Sequence, residues 1–220
     1  METVLVISPH ADDESLGCGG TLAKHANNKD SLFWVNVTSP SVDSIFDEIY
    51  ISKREDAIQN IKFLYNISEI FSLDYRPSSL SSSDLPNLVK DFSEIFKKVK
   101  PSIIYAPFWG DAHSDHQIVY NASKSLIKPF RYSSIRSFRI YETLSETNFA
   151  LNDQFRPNLY INISDTLEAK LKAIEFYDYE MQPLPFPRNR ELIESLAKLR
   201  GSESGFNAAE AFMLLKQYET

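Results

Sequence analysis

Val4-Leu5-Val6-Ile7-Ser8-Pro9-His10-Ala11-Asp12-Asp13-Glu14 is the stretch on which the reading of this chain turns. Its first half is apolar and β-branched and is ended by Pro9, the pattern of a buried strand. Its second half sets an imidazole and three carboxylates in the loop that follows. Far along the chain, Ser102 to Ala106 repeat the strand pattern and empty into Asp111-Ala112-His113-Ser114-Asp115-His116. Three of the four histidines lie in these two clusters. Two strand ends that both carry His and Asp have the composition of a metal site assembled from two loops of one sheet.

Outward from the first cluster, Gly17, Gly19 and Gly20 predict a Gly-rich turn and then a short helix to about Asn28. Leu32 to Thr38 reads as a second strand. Phe46 to Tyr65 has helical spacing at Ile49, Ala57, Ile58, Ile61 and Leu64. Ile67 to Leu73 is a third strand. Asp84 offers a cap to a helix through Phe92, Ile95 and Phe96, stopped by Pro101. A helix is expected from Asp115 to about Leu126, and strands at Phe138–Tyr141 and Leu159–Ile163. Ser164 or Asp165 is expected to cap a helix through Leu167, Leu171, Ile174 and Tyr177. Beyond a loop with Pro183, Pro185 and Pro187, helices are expected near 190–200 and from Ala208 to Leu215. Strands alternating with helices give an α/β fold, a single Rossmann-like domain over residues 1–220 with a mainly parallel sheet flanked by helices. Ligands in such sheets sit beyond the carboxyl ends of the strands, where both clusters lie.

Composition sets the bounds. The chain has 220 residues, 43% of them hydrophobic, with 15 Phe and 11 Tyr, enough for one sizeable core. A net charge of −7 without a basic run argues against a nucleic-acid partner. No apolar stretch is long enough to span a bilayer. The N-terminus enters a strand at once, so no signal peptide is read, and Asn-x-Ser/Thr triplets such as Asn36-Val37-Thr38 are taken as chance. The single cysteine, Cys18, has no partner for an internal disulfide, which fits a cytoplasmic location.

A polar turn capping the next helix would use the same residues as the first cluster, with Asp12 or Asp13 at the cap. The two histidines of the second cluster could likewise satisfy a helix start, with Asp115 as cap. The two half-sites together favour a shared metal. A catalytic zinc needs three protein ligands and an open position. His10, Asp13 and one of His113 and His116 supply them. The other histidine can hydrogen-bond charge growing on a substrate oxygen, with Asp115 or Asp111 holding it charged and oriented. Asp12, beside the metal but not needed by it, is placed as a general base. A dinucleotide-binding turn is disfavoured, because the glycine spacing is wrong and acids occupy the phosphate end.

The quoted residues resemble the PIG-L/LmbE family of zinc-dependent N-deacetylases, which act on N-acetylglucosaminyl compounds. The family's Pro-His-x-Asp-Asp-Glu motif appears at Pro9–Glu14, continuing as Leu16-Gly17-Cys18-Gly19-Gly20-Thr21, and its His-x-Asp-His motif at His113–His116. Weaker likenesses lie at Arg54-Glu55, Lys172-Ala173 through Gln182, and Arg200-Gly201 through Phe212. The resemblance implies His10, Asp13 and His116 as zinc ligands, Asp12 as general base, His113 as stabiliser of the tetrahedral intermediate with Asp115 behind it, and Arg54 as a substrate hydroxyl contact. Ala11 stands where many members have proline. The residues before the second motif are Phe108-Trp109-Gly110-Asp111, so no tyrosine role carries over.

Trp109 offers a face for stacking on a sugar, with Phe108 read as core, and Glu14 either anchors its loop or touches a substrate hydroxyl. The expected activity is removal of acetyl from an N-acetylated sugar conjugate with Zn²⁺, or Fe²⁺ or another divalent metal where availability decides. The alternatives are a metal-dependent amidase on a non-sugar amide and a non-catalytic sugar-binding protein. Residues 74–83 and 179–190 are expected to set the choice of substrate, and a homo-oligomer is a further expectation.

Overall fold

The computed structural model describes residues 1–41 and 45–219. The opening apolar run forms β1 (Thr3–Ser8), and its loop turns directly into α1 (Asp13–Asn27). There follow β2 (Ser31–Thr38), α2 (Glu48–Leu64), β3 (Ile67–Tyr75), α3 (Leu85–Val99), β4 (Ile103–Pro107), α4 (Ser114–Ser125) and β5 (Ser137–Tyr141). The chain closes with β6 (Leu159–Asn162), α5 (Leu167–Glu175), α6 (Arg190–Ser204) and β7 (Ala209–Gln217).

The strands form one sheet in the order β3-β2-β1-β4-β5-β7-β6. The first five are mutually parallel, and β7 runs antiparallel between β5 and β6. Side chains of a strand alternate between faces, and β1 divides its residues accordingly. Val4 and Val6 join a core built with Cys18 and Leu22 of α1, Ile61 of α2 and Ala173 of α5. Leu5 and Ile7 join the opposite core with Leu88, Phe92 and Phe96 of α3 and Val119 of α4. A strand covered on both faces has no polar side to show, which is why β1 reads as an unbroken apolar run. From β1 the chain first builds outward through β2 and β3, then returns to place β4 on the other side of β1. The order reverses between β1 and β4, and the crevice beyond their carboxyl ends receives both His–Asp loops.

Several local expectations are corrected. The Gly-rich segment is the interior of α1, not a turn before it. The glycines serve close packing: a Cβ on Gly17 would lie 2.3 Å from Tyr141 Cδ2, and one on Gly20 2.7 Å from Ile163 Cδ1. Gly17→Ala is therefore expected to destabilise the fold by about 1–3 kcal/mol through overpacking, more than alanine's helix preference returns. Urea unfolding of the variant measures this, and an unchanged midpoint would contradict it.

The segment from Ala208 to Leu215, expected as a helix, is strand β7. Its residues are good helix formers, but the gap between β5 and β6 needs a strand that hydrogen-bonds on both edges, and that tertiary demand overrides propensity. Glu210 makes the placement specific. It is buried, accepts from the backbone N–H groups of Gly20 (3.0 Å) and Thr21 (2.7 Å) in α1, and pairs with the equally buried Lys170 at 2.5 Å. Lys170 Nζ also donates to Leu16 O at 2.7 Å. The cap of α5 is Thr166 rather than Ser164 or Asp165, and its hydroxyl donates across to Gly20 O at 2.8 Å. Helix α2 begins two residues later than expected, behind Asp47, whose carboxylate accepts from Tyr50 N, and Ile49 is exposed rather than part of the core.

Candidate active site

The loop after β1 is folded by its own carboxylates. Asp13 Oδ2 accepts from His10 N at 2.9 Å, and Glu14 Oε2 accepts from Asp12 N at 3.0 Å. Thr38, at the end of β2, ties the loop down by donating to Pro9 O from both its N–H (3.0 Å) and its hydroxyl (2.8 Å). Asp12 precedes α1 with φ at 141°, a conformation that costs a non-glycine residue about 1–3 kcal/mol, and its carboxylate does not cap the helix. The side chain is turned into the crevice instead. On the other loop, His113 caps α4, its Nδ1 accepting from Asp115 N at 3.1 Å.

His10, Asp13 and His116 come together. His10 Nδ1 lies 3.4 Å, and His116 Nε2 3.3 Å, from Asp13 Oδ2. Ligand atoms about 2.0–2.1 Å from a tetrahedral metal stand about 3.3–3.4 Å apart, so this spacing suits one such ion. Two further observations fit. His116 Nε2 and Asp13 Oδ1 are buried without a hydrogen-bond partner, which is costly unless something else satisfies them. The remaining nitrogen of each imidazole is already committed: His116 Nδ1 to Asp111 Oδ2 at 2.7 Å and His10 Nε2 to Asp115 Oδ2 at 3.0 Å. Those contacts fix the tautomers that present His116 Nε2 and His10 Nδ1 as lone pairs to a metal. A second His10–His113–Asp115 grouping is close enough to hold an ion, but the Asp115 carboxylate there is already filled by the N–H groups of Ser78 (2.8 Å) and Leu80 (3.0 Å).

The electrostatics agree with a site built for positive charge. Burial alone would depress His116, yet Asp13 and Asp111 lift its pKa well above the usual range. Burial likewise opposes the charge on Asp13, and the imidazoles of His116 and His10 hold it well below the usual carboxylate range. Asp111, fixed further by the Thr147 hydroxyl at 2.5 Å, is a buried support for the proposed ligand His116. Asp111→Ala is expected to weaken divalent-metal affinity about 10- to 100-fold. Competition against a chelating dye measures this, and wild-type affinity would count against a metal at His116.

Asp12 lies beside this cluster with its side chain almost fully buried. Burial pushes its carboxyl up, to about 8, against the pull of the Arg188 guanidinium, which donates to Oδ2 at 2.8 Å. His113 faces the crevice, with Nε2 3.4 Å from Ser78 Oγ. The expectation that Asp115 or Asp111 holds His113 charged is corrected. The Asp115 carboxylate goes to His10 and to the 78–80 backbone, and Asp111 goes to His116. Burial and the neighbouring His10 and His116 lower the His113 pKa, and the acceptance by Nδ1 of the Asp115 N–H leaves Nε2–H as the donor.

The crevice is a cleft of about 160 Å³. Arg54 is on its wall, donating to Thr38 O at 2.6 Å. Two expected substrate contacts are not there. Glu14 is completely buried and spent on Ser15 Oγ (2.7 Å), Tyr177 Oη (2.9 Å) and Asp12 N, which makes it the anchor of the loop. Its own carboxyl is raised to about 7 by burial. Trp109 packs against Phe108 and Tyr120, with ring centroids 4.6 and 5.2 Å away, and does not line the cleft. The residues after Gly110 turn to bring Asp111 under His116, which leaves Trp109 on the packed side. Sequence reasoning missed Tyr50, Glu180 and Arg188, all on the cleft wall, although residues 179–190 and Ser78 fall in stretches expected to line it. Two of the three are borne by that loop and reach the site only through tertiary packing.

Comparison with known proteins places these loops in a wider group. A diacetylchitobiose deacetylase from Thermococcus kodakarensis is 22% identical over 96% of this chain and 82% of its own length. The structure of an N,N′-diacetylchitobiose deacetylase from Pyrococcus horikoshii matches with TM-score 0.78 and 22% identity, over 97% of this chain and 83% of that one. The 4-carboxy-2-hydroxymuconate hydratase from Pseudomonas putida has the same fold, with TM-score 0.75 and 16% identity over 100% of this chain and 98% of that one. One fold thus carries different chemistries, and the site rather than the sheet must decide between them. Residues 5–127, which include both His–Asp loops and make up more than half of the sequence, match the PIG-L family, described as GlcNAc-PI de-N-acetylase, and the chain belongs to that family.

Proposed function

We propose that this protein is a divalent-metal-dependent hydrolase that removes acetyl from an N-acetylated amino sugar of the N-acetylglucosaminyl type, giving acetate and the free amine. The observation that carries the reading is the approach of His10 Nδ1 and His116 Nε2 to Asp13 Oδ2, at 3.4 and 3.3 Å, with the Asp12 carboxylate beside them and not needed as a ligand. Membership of a de-N-acetylase family supports the choice of an acetamide over other bonds. His10, Asp13 and His116 would hold the ion, with zinc the metal their N₂O donor set suits best. When bound there, a divalent cation supplies a Lewis acid for the amide carbonyl and a water competent to attack near neutral pH.

The chain's own groups do the rest. Asp12 accepts the proton of the attacking water and returns it to the amine nitrogen as the C–N bond breaks. His113 donates from Nε2 to the carbonyl oxygen as negative charge gathers on it. Asp115 and Asp111 keep His10 and His116 aimed at the ion, so Asp115 acts through a metal ligand. Arg54, Tyr50 and Ser78 on the cleft wall offer hydrogen bonds to sugar hydroxyls.

The test is acetate release by the metal-loaded protein from N-acetylglucosamine and N,N′-diacetylchitobiose, compared with non-sugar acetamides. Hydrolysis of the sugars well ahead of the simple amides is expected. Equal rates on both would make the protein a general amidase. Metal binding with no acetate from any sugar would leave a binding protein.

A further inference from the structure

We propose that Arg188 is a positioning residue for the deacetylation step: it holds the Asp12 carboxylate in the direction from which it takes the proton of the attacking water. The inference rests on the reading of Asp12 as base. Asp12 occupies the position before α1 with φ at 141° and makes no capping bond, so nothing local fixes its side chain. The fixing contact comes from far along the chain. Arg188 Nη1 donates to Asp12 Oδ2 at 2.8 Å and leaves Oδ1 to receive a proton.

Arg188 is itself fixed on several sides. Its Nε donates to Ser145 Oγ at 2.7 Å and its Nη2 to Glu146 Oε1 at 3.2 Å. Glu180 Oε2 lies 3.8 Å from Nη1, and the other Glu180 oxygen accepts from Tyr50 Oη at 2.6 Å. The backbone is fixed as well. Arg188 O accepts from Gln182 N at 3.2 Å, and the next residue, Asn189, caps α6 by accepting from Leu192 N at 3.0 Å. A guanidinium held on three edges is a fixed fork, and a single long donor such as lysine cannot make the same set of bonds. The side chain also borders the cleft, where an ion pair serving stability alone would not need to stand. Small errors in the placement of a reacting group are expensive, about a hundredfold in rate for an error of about 1 Å.

The test compares Arg188→Met and Arg188→Lys with wild type, each carrying metal. Arg188→Met is expected to lower kcat about a hundredfold while KM and metal content stay near wild type. Added guanidinium should restore part of the lost kcat, and Arg188→Lys should fall between the two. A crystal structure of Arg188→Met should show the Asp12 carboxylate turned from its wild-type direction, a readout independent of turnover. Wild-type kcat in Arg188→Met, beside an inactive Asp12→Asn, would overturn the inference and leave the base reading standing. Parallel loss of kcat and folding with no guanidinium rescue would also overturn it, in favour of a structural ion pair. An Asp12→Asn variant with full activity would bring down the base reading and this inference together.

Discussion

His116→Ala is expected to leave the protein without its divalent ion and without turnover. Three ligands hold a catalytic metal with a position left open, and two seldom suffice. The transition-state stabilisation lost with the ion is several kcal/mol, which corresponds to about a thousandfold or more in rate. A second effect accompanies the first. Asp13 and Asp111 both face His116 and are both buried, so removing the imidazole leaves Asp111 without its charged partner and Asp13 with His10 alone. Breaking a buried charged arrangement from one side costs about 3–5 kcal/mol. The variant should therefore melt below wild type even when both are metal-free. Metal analysis by mass spectrometry and calorimetry of the two apo-proteins measure the two effects separately. Stoichiometric, wild-type-affinity metal in His116→Ala would show that the ion, if any, sits elsewhere.

Asp12→Asn should separate metal from chemistry. The amide keeps the size of the carboxylate and can still accept from Arg188, so the fold and the ion should be retained. It has no basicity to offer, and a positioned general base contributes about 10²- to 10⁴-fold. The loss should appear in kcat, with metal content unchanged. A pH signature follows from the environment of the carboxyl. Burial raises its pKa, to about 8 before the opposing charge of a metal ion is added, so the base is lost by protonation as pH falls. Wild-type kcat/KM should decline on the acid side, and the residual activity of Asp12→Asn should lack that limb. Retention of the limb in the variant would assign it to another group.

The fold was legible for a physical reason. Strands covered on both faces are apolar nearly throughout, and β1, β4 and, apart from Asn36, β2 carry that mark in sequence, each ending in residues that cannot continue it. Helices α2 and α3 bury one stripe each and show the matching period. The reading failed where a segment's own preference is overruled. In β7 every residue but Phe212 favours a helix, and only the vacancy between β5 and β6 makes it a strand. The glycines of α1 look like a turn until Tyr141, Lys170 and Ile163 are seen pressing on the helix.

At the site, the sequence by itself determined the donor atoms. His10, Asp12, Asp13, His113, Asp115 and His116 are named by residue type and by their place after strands, because short loops at strand ends have few places to go. Tertiary structure alone decided how these donors are used. Asp115 supports His10 rather than His113, Glu14 is locked beneath the loop, and Trp109 packs away from the cleft. Arg188 meets Asp12 from the loop before α6. Each of these outcomes is a direction in space. Spacing along a chain fixes distance within one loop, whereas the angle between two loops is set by the packing of the elements that carry them.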